Sequence, residues 1–402
     1  MKKLLFAILI CLPVALQAQN VTLISENDSI PSLIERILEK HDSARVVTGK
    51  HRNIKSHINL EFVSSVNADF TEGTFNELSF KTNRVRLEFY GRLNDHLSYH
   101  FRQSYNRYHN PYAVDNLSSS IEFAYINWKL NPLLKLTVGK QFLALGGYEY
   151  YVNPIKVREF SQFNNNVACY QAGVSAALNL SPTQELVFQV LNNRSGEDED
   201  AYTFGRPADI DRAKVPVIST VNWNGLFADR AVHLRYAASW GQQAQGRNIL
   251  YLTAGNVYEK GPVVAYLDLM YSRQGLDSQG IITSLQGPAV EAPATAQHTE
   301  YFSVIANFDY RIHPNWNVYV KGAYETAGVY QANGVFEKGL YQTTWNAQAC
   351  VEFFPMRDKE LKIFGHLLYK GYDLTNRAKA LGAFVPNTQR ISIGLLYTLP
   401  VF

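Results

Sequence analysis

An all-β fold, a transmembrane antiparallel β-barrel of about 16 strands, is what this sequence predicts, and three observations carry the prediction. Segment after segment alternates apolar with polar residues at a period of two, which gives a strand one greasy and one polar face. These segments run to about 11 to 16 residues, where soluble sheets favour strands of about five or six. Their connections alternate in length, placing tight turns on one rim and polar loops on the other, as in an outer-membrane barrel. Composition agrees, with 13% aromatic and only 18% charged residues in 402. Beyond the first twenty residues no run of 18 apolar residues occurs, so a helical membrane span is excluded.

The chain opens with Lys2 and Lys3, an apolar stretch from Leu4 to Leu16 and the small residue Ala18, the pattern of a secretory signal peptide over residues 1–18. Cys11 follows Ile10 and belongs to the apolar stretch, not to a lipid-anchor site. Removing the leader takes two lysines from the 38 Lys and Arg that face 35 Asp and Glu. A mature chain so near neutrality gives no reason to expect nucleic acid as a partner. Residues 19–53 read as a periplasmic extension with a short helix, because Leu33, Ile34, Ile37 and Leu38 share one helical face and Ser32 with Glu35 has capping-box spacing. That extension is either a loosely held arm or a plug or partner-binding helix.

The barrel occupies 54–402. Its strands are expected at 54–66, 78–93, 96–108, 118–130, 133–143, 167–180, 184–194, 215–227, 231–241, 247–258, 261–273, 298–312, 315–330, 341–355, 358–372 and 388–402. Even-numbered strands end in short turns such as Asn94-Asp95, Asn131-Pro132, Ser181-Pro182-Thr183, Ala228-Asp229-Arg230 and His313-Pro314. Odd-numbered strands lead into longer loops such as 144–166, 195–214 and 274–297. An even strand count leaves both termini on the turn rim, the periplasmic one. The final strand alternates through Ile391, Ile393, Leu395, Tyr397 and Leu399 and ends on the aromatic Phe402, similar to the signal read by the barrel-assembly machinery. Cys169 and Cys350 stand far apart in the barrel and are expected to be free thiols.

No catalytic or metal constellation is present in the sequence, so neither an enzyme nor a cofactor is expected. The ten histidines are dispersed, and His96 with His100 lacks a third ligand nearby. There is no GxSxG elbow and no P-loop. The acidic run Glu197-Asp198-Glu199-Asp200 reads as a solvated face of an outer loop. Charge placement is more informative. Between Leu78 and Phe160 stand eleven Lys and Arg against six Asp and Glu. Arg84, Arg86, Arg102 and Lys135 fall opposite apolar neighbours in parity, and charge on the lipid face is costly at midplane depth, so these cations face the lumen. There they either attract anions or pair with Glu88, Glu122 and Glu159 in a wall network. The aromatic-rich loop 144–166 is placed to fold inward, with Lys156 and Arg158 at the narrowing.

Three runs carry a resemblance: Phe80 with Arg84, Arg86-Leu87, Phe89 and Gly91; Ala124-Tyr125-Ile126 with Trp128; and Leu136 with Val138-Gly139-Lys140-Gln141-Phe142. Together with Ala172-Gly173-Val174 and Leu191-Asn192-Asn193, they resemble the phosphate-selective porin O and P family of outer-membrane barrels. The resemblance implies a porin in the outer membrane of a Gram-negative bacterium, often trimeric in porins of this kind, with phosphate selectivity resting on lumen arginines and a lysine cluster. Arg84, Arg86 and Arg102 stand in for part of the arginine ladder, and the lysine cluster is hardly represented. The chain departs from the family at Leu143-Ala144-Leu145-Gly146-Gly147, where a Lys and a Pro-Phe pair are usual, and at Tyr170-Gln171, where Arg-Asp is usual. The expected function is a passive diffusion channel for small hydrophilic solutes, with an anion preference. The alternative is a loop-blocked barrel serving as an attachment or assembly scaffold.

Overall fold

The computed structural model describes residues 55–106, 119–193, 201–356 and 360–401. The expected leader, the helix around Leu33, the acidic run at 197–200 and Phe402 lie outside the described residues. Sixteen strands form one closed barrel in which every strand pairs antiparallel with its neighbours in sequence and the last pairs with the first. They are β1 Lys55–Thr71, β2 Thr74–Arg92, β3 Leu97–Ser104, β4 Ile121–Lys129, β5 Leu134–Phe142, β6 Tyr170–Ser181, β7 Gln184–Asn192 and β8 Val217–Phe227. The second half comprises β9 Val232–Ala244, β10 Arg247–Lys260, β11 Val263–Leu276, β12 Gln297–His313, β13 Trp316–Val329, β14 Gly339–Phe353, β15 Glu360–Leu374 and β16 Thr388–Pro400.

The barrel is inside-out relative to a soluble protein. Phe80 is 83% exposed and Ile393 65%, and Val138, Val320 and Leu367 also point outward. Facing inward and buried are Glu61, Arg86, Glu88, Arg102 and Glu122. Strand alternation produces this split, and hydrocarbon is the medium that makes the outer face stable. Trp128 and Trp316 project outward near the turn rim, and Trp240 and Trp345 nearer the loop rim, as interfacial aromatics do.

Two connections differ from the expected long loops. β1 and β2 run on to a two-residue hairpin at Glu72-Gly73, where φ is 48° and 75°. Positive φ at both central residues is the type I′ geometry that matches strand twist, and Phe70 packs on Phe75 across the pair at 5.6 Å between ring centroids. β9 and β10 likewise meet in a tight turn at Gln245-Gly246. A bulge also switches the parity of β2. Arg84 pairs with Val63 and Thr82 with Ser64, so Asn83 is the extra residue. It lets Leu78 and Phe80 face lipid above the bulge while Val85 and Leu87 do so below it.

Cys350 lies buried on β14, and Cys169 precedes β6 instead of lying on it; neither forms a disulfide.

Candidate functional site

The 143–169 loop leaves β5, crosses the lumen and returns at β6, and it folds inward as its position predicts. Its backbone is held by strand carboxylates. Asp268 on β11 accepts the N–H groups of Tyr148 and Glu149, each at 2.8 Å. Glu325 on β13 accepts the N–H groups of Gln162 at 2.7 Å and Phe163 at 2.8 Å. Those two residues open the single-turn helix α1, Gln162–Asn165, whose first N–H groups have no partner within the helix.

Charge runs the other way at Glu149. The loop's carboxylate accepts from Lys321 Nζ on β13 at 2.6 Å, from the Ser161 hydroxyl at 2.6 Å and from the Asn164 amide at 2.5 Å. Lys321 also donates to the Glu159 carbonyl. Apolar packing completes the attachment. Leu143, Leu145 and Phe163 join Ile249, Met270 and Ile305 from β10–β12, together with Ile282 from the 277–296 loop, in one buried cluster. That side of the lumen is filled.

Two cavities open beside the loop. The larger cavity, about 220 Å³, lies between residues 154–159 and the wall formed by β1, β2, β15 and β16. At roughly 10–15 Å³ per water position it holds on the order of 15 to 20 waters. Arg84, Arg158, Arg390 and His366 line it, against Glu159 as the carboxylate of the lining. Arg84 pairs with Val63 and Arg390 with Asp69, six residues apart on β1, so these cations are spaced along about 20 Å of strand. Arg390 Nε donates to Asp69 at 2.6 Å, and its Nη1 lies 3.5 Å from Glu159. Lys370 donates to Glu159 at 2.5 Å. Arg158 stacks over Phe364 at 4.1 Å, with Nη2 3.6 Å from Glu352. The smaller cavity, about 140 Å³, lies against β5–β9 beneath the start of the loop.

Of the six cations singled out in the sequence, Arg84 and Arg158 thus meet in the larger cavity and Lys135 lines the smaller one. Arg86 and Arg102 face inward as parity predicts, yet they are sealed in the wall. Arg86 is fully buried, paired with Glu61 and Glu122, and donates to Asn153 of the loop at 2.5 Å. Arg102 donates to Glu122 at 2.7 Å and stacks over Phe123 at 4.0 Å. Lys156 is exposed in a single 3-10 turn and does not line the larger cavity. Arg390 and His366 were missed. Their signal was the same alternation, which sets Arg390 and Ser392 opposite Ile391 and Ile393 in β16. No group of three or more metal-ligating side chains occurs among the described residues.

A sixteen-stranded barrel with lipid outside, charge inside and a loop drawn across its lumen is the architecture of an outer-membrane porin. The chain belongs to the phosphate-selective porin O and P family, whose family model matches residues 57–399. Membership places it in the outer membrane of a Gram-negative bacterium as a channel for small solutes. Solved structures share the fold. The outer membrane channel DcaP of Acinetobacter baumannii aligns with a TM-score of 0.61 at 11% identity, covering 88% of this chain and 100% of DcaP. Salmonella typhi OmpF, solved with daunomycin, gives 0.55 at 11% identity, covering 86% and 98%. OmpT of Vibrio cholerae in its trimer form gives 0.50 at 12% identity, covering 87% and 100%. No curated protein sequence matches the chain.

Proposed function

We propose that this porin prefers anions and conducts them past the wall of β1, β2, β15 and β16. The carrying observation is the lining of the larger cavity, where Arg84, Arg158 and Arg390 face one carboxylate, Glu159, that Lys370 and Arg390 already engage. A wet passage with that balance lowers the energy of an anion and raises that of a cation. Passage needs no covalent step: the solute trades part of its hydration for guanidinium groups spaced along the path, then leaves toward the turn rim. Inorganic phosphate suits this lining because guanidinium forks match its oxygens. A cleaved leader over 1–18, insertion by the barrel-assembly machinery and a homotrimer belong to the same proposal, the last supported by the trimer form of the Vibrio cholerae barrel.

Planar-bilayer recording in asymmetric salt tests the reading. A reversal potential favouring anions is expected. One favouring cations overturns the preference, and silence at all voltages overturns the open channel. Silence is what the second reading requires, a scaffold barrel blocked by its own loop, and the apolar packing of Leu145 and Phe163 supports it. In that case deletion of residues 21–50, or release of the 143–169 loop, raises conductance from zero.

A further inference from the structure

The smaller cavity has chemistry that the path through the larger one does not use. It lies on the turn-rim side, beneath the loop, walled by β5–β9 and by Ala144 and Tyr151. Two cations face it, neither of them in an ion pair among the described residues, although Arg235 also acts through space on the buried Asp268 of β11. The Arg235 guanidinium stacks 3.3 Å over the Tyr151 ring, its Nε is buried without a hydrogen-bond partner, and it forms no ion pair among the described residues. Lys135 likewise has neither an ion pair nor a hydrogen bond from its ammonium among the described residues. The carboxylate in the lining, Glu185, is already engaged by the Asn224 amide at 2.9 Å. With two cations against one carboxylate in the lining, an anion brought from outside is favoured there.

The remaining wall is not that of an inorganic-ion site. Tyr151 packs on Phe142 at 5.3 Å between ring centroids, and Val187, Leu226 and Leu234 add aliphatic surface. Cationic groups on one side and flat apolar surface on the other select an anion that carries an apolar body. At roughly 10–15 Å³ per water-sized group, about 140 Å³ takes a solute of on the order of ten non-hydrogen atoms. We propose that this cavity is a binding station for small organic anions, the charged end held by Arg235 and Lys135 and the flat body resting on Tyr151 and Phe142. The station rests on the channel reading for access, and it differs from the larger cavity in the class of anion it takes.

Benzoate is the probe, measured by titration calorimetry on the full chain folded in detergent, with inorganic phosphate as competitor. Benzoate binding is expected, weakened about tenfold by Arg235→Gln and again by Lys135→Gln, the weight of one charge-assisted hydrogen bond each. Tyr151→Leu is expected to weaken benzoate as well, and phosphate is expected not to displace it. Gel mobility of the unheated barrel establishes that each variant is folded; Lys135→Gln, at a half-buried position, keeps the test alive if Arg235→Gln does not fold. Affinity within twofold of the parent in the folded charge variants overturns the proposal, and displacement by equimolar phosphate overturns the class of ligand. A conducting barrel that ignores benzoate defeats this station alone; a barrel that binds benzoate and never conducts defeats the channel reading alone.

Discussion

Lys321 Nζ stands 2.6 Å from Glu149, with both side chains nearly inaccessible, and so ties strand β13 to the middle of the lumen loop. An ion pair removed from water at this depth stabilises only if its remaining lone pairs and protons are satisfied. Here they are: Ser161 and Asn164 complete Glu149, and the Glu159 carbonyl takes a second Lys321 proton. With Asp268 and Glu325 accepting loop N–H groups at two other places, the loop is fixed across the lumen by hydrogen bonds and this ion pair instead of lying over it.

Lys321→Met strands the Glu149 carboxylate. Breaking one side of a buried pair costs about 3–5 kcal/mol, more than a loop of this kind retains in surplus. Single-channel recording is expected to show a larger and noisier conductance. The double change Lys321→Met with Glu149→Gln removes the stranded charge and is expected to be quieter than Lys321→Met alone. Unchanged conductance in the single variant means that the loop does not narrow the passage.

The arginines divide into two groups that different measurements separate. Arg84→Gln and Arg390→Gln, in the larger cavity, are expected to move the reversal potential toward cations while leaving unfolding in urea near the parent value. Arg86→Gln is expected to do the opposite. It leaves Glu61 without its cation and Glu122 with Arg102 alone in the wall, at a cost of about 3–5 kcal/mol, and the cavity lining is untouched. If Arg86→Gln shifts selectivity as strongly as Arg84→Gln, the permeation path runs elsewhere.

How much of this was legible follows from what alternation reports. Parity tells in from out, so the strand count and the inward direction of Arg84, Arg86, Arg102 and Lys135 could be read directly. It is silent on whether an inward cation meets water or a carboxylate on the neighbouring strand. Arg86 and Arg102 are sealed because Glu61 and Glu122 approach from strands paired at a register that sequence does not display. Arg390 and Asp69 come together from opposite ends of the chain for the same reason: closure of β1 on β16 is a tertiary event. The reach of β1 and β2 through 67–77 was obscured by a second irregularity, where Asp69 pairs with Glu77 and Phe70 with Phe75 and Asn76 is the extra residue that breaks the alternation.

Asp277, at the start of the 277–296 loop, has a carboxyl pushed above its ordinary value of 3.8 by burial, against the pull of bonds from Tyr301, Thr283 and Gly280. An acid whose folded value is raised binds more protons folded than unfolded. Its contribution to holding the loop is therefore full below the ordinary value and is lost as pH rises through the raised one. Hydrogen exchange over 278–296, corrected for its intrinsic pH dependence, is expected to show more opening at about pH 8 than at about pH 4. Asp277→Asn is expected to flatten the difference; a parent loop that opens more at low pH contradicts the assignment.

Gly255 on β10 faces the lumen against Gly147 of the loop. A Cβ there would stand 2.6 Å from the Gly147 Cα and 2.9 Å from its carbonyl carbon, both backbone atoms that no side-chain rotation can clear. Gly147 itself has φ of 75°, so a glycine on each side makes the approach feasible. Gly255→Ala must push the loop off β10 and disturb the Tyr148 and Glu149 bonds to Asp268, at about 1–3 kcal/mol for overpacking. Conductance is expected to rise as in Lys321→Met, since both changes release the same segment. Gly365→Ala on β15, where a Cβ meets nothing within 4 Å, is the matched change expected to leave conductance alone. Equal effects of the two alanines would mean that the contact between Gly147 and Gly255 does not set the position of the loop.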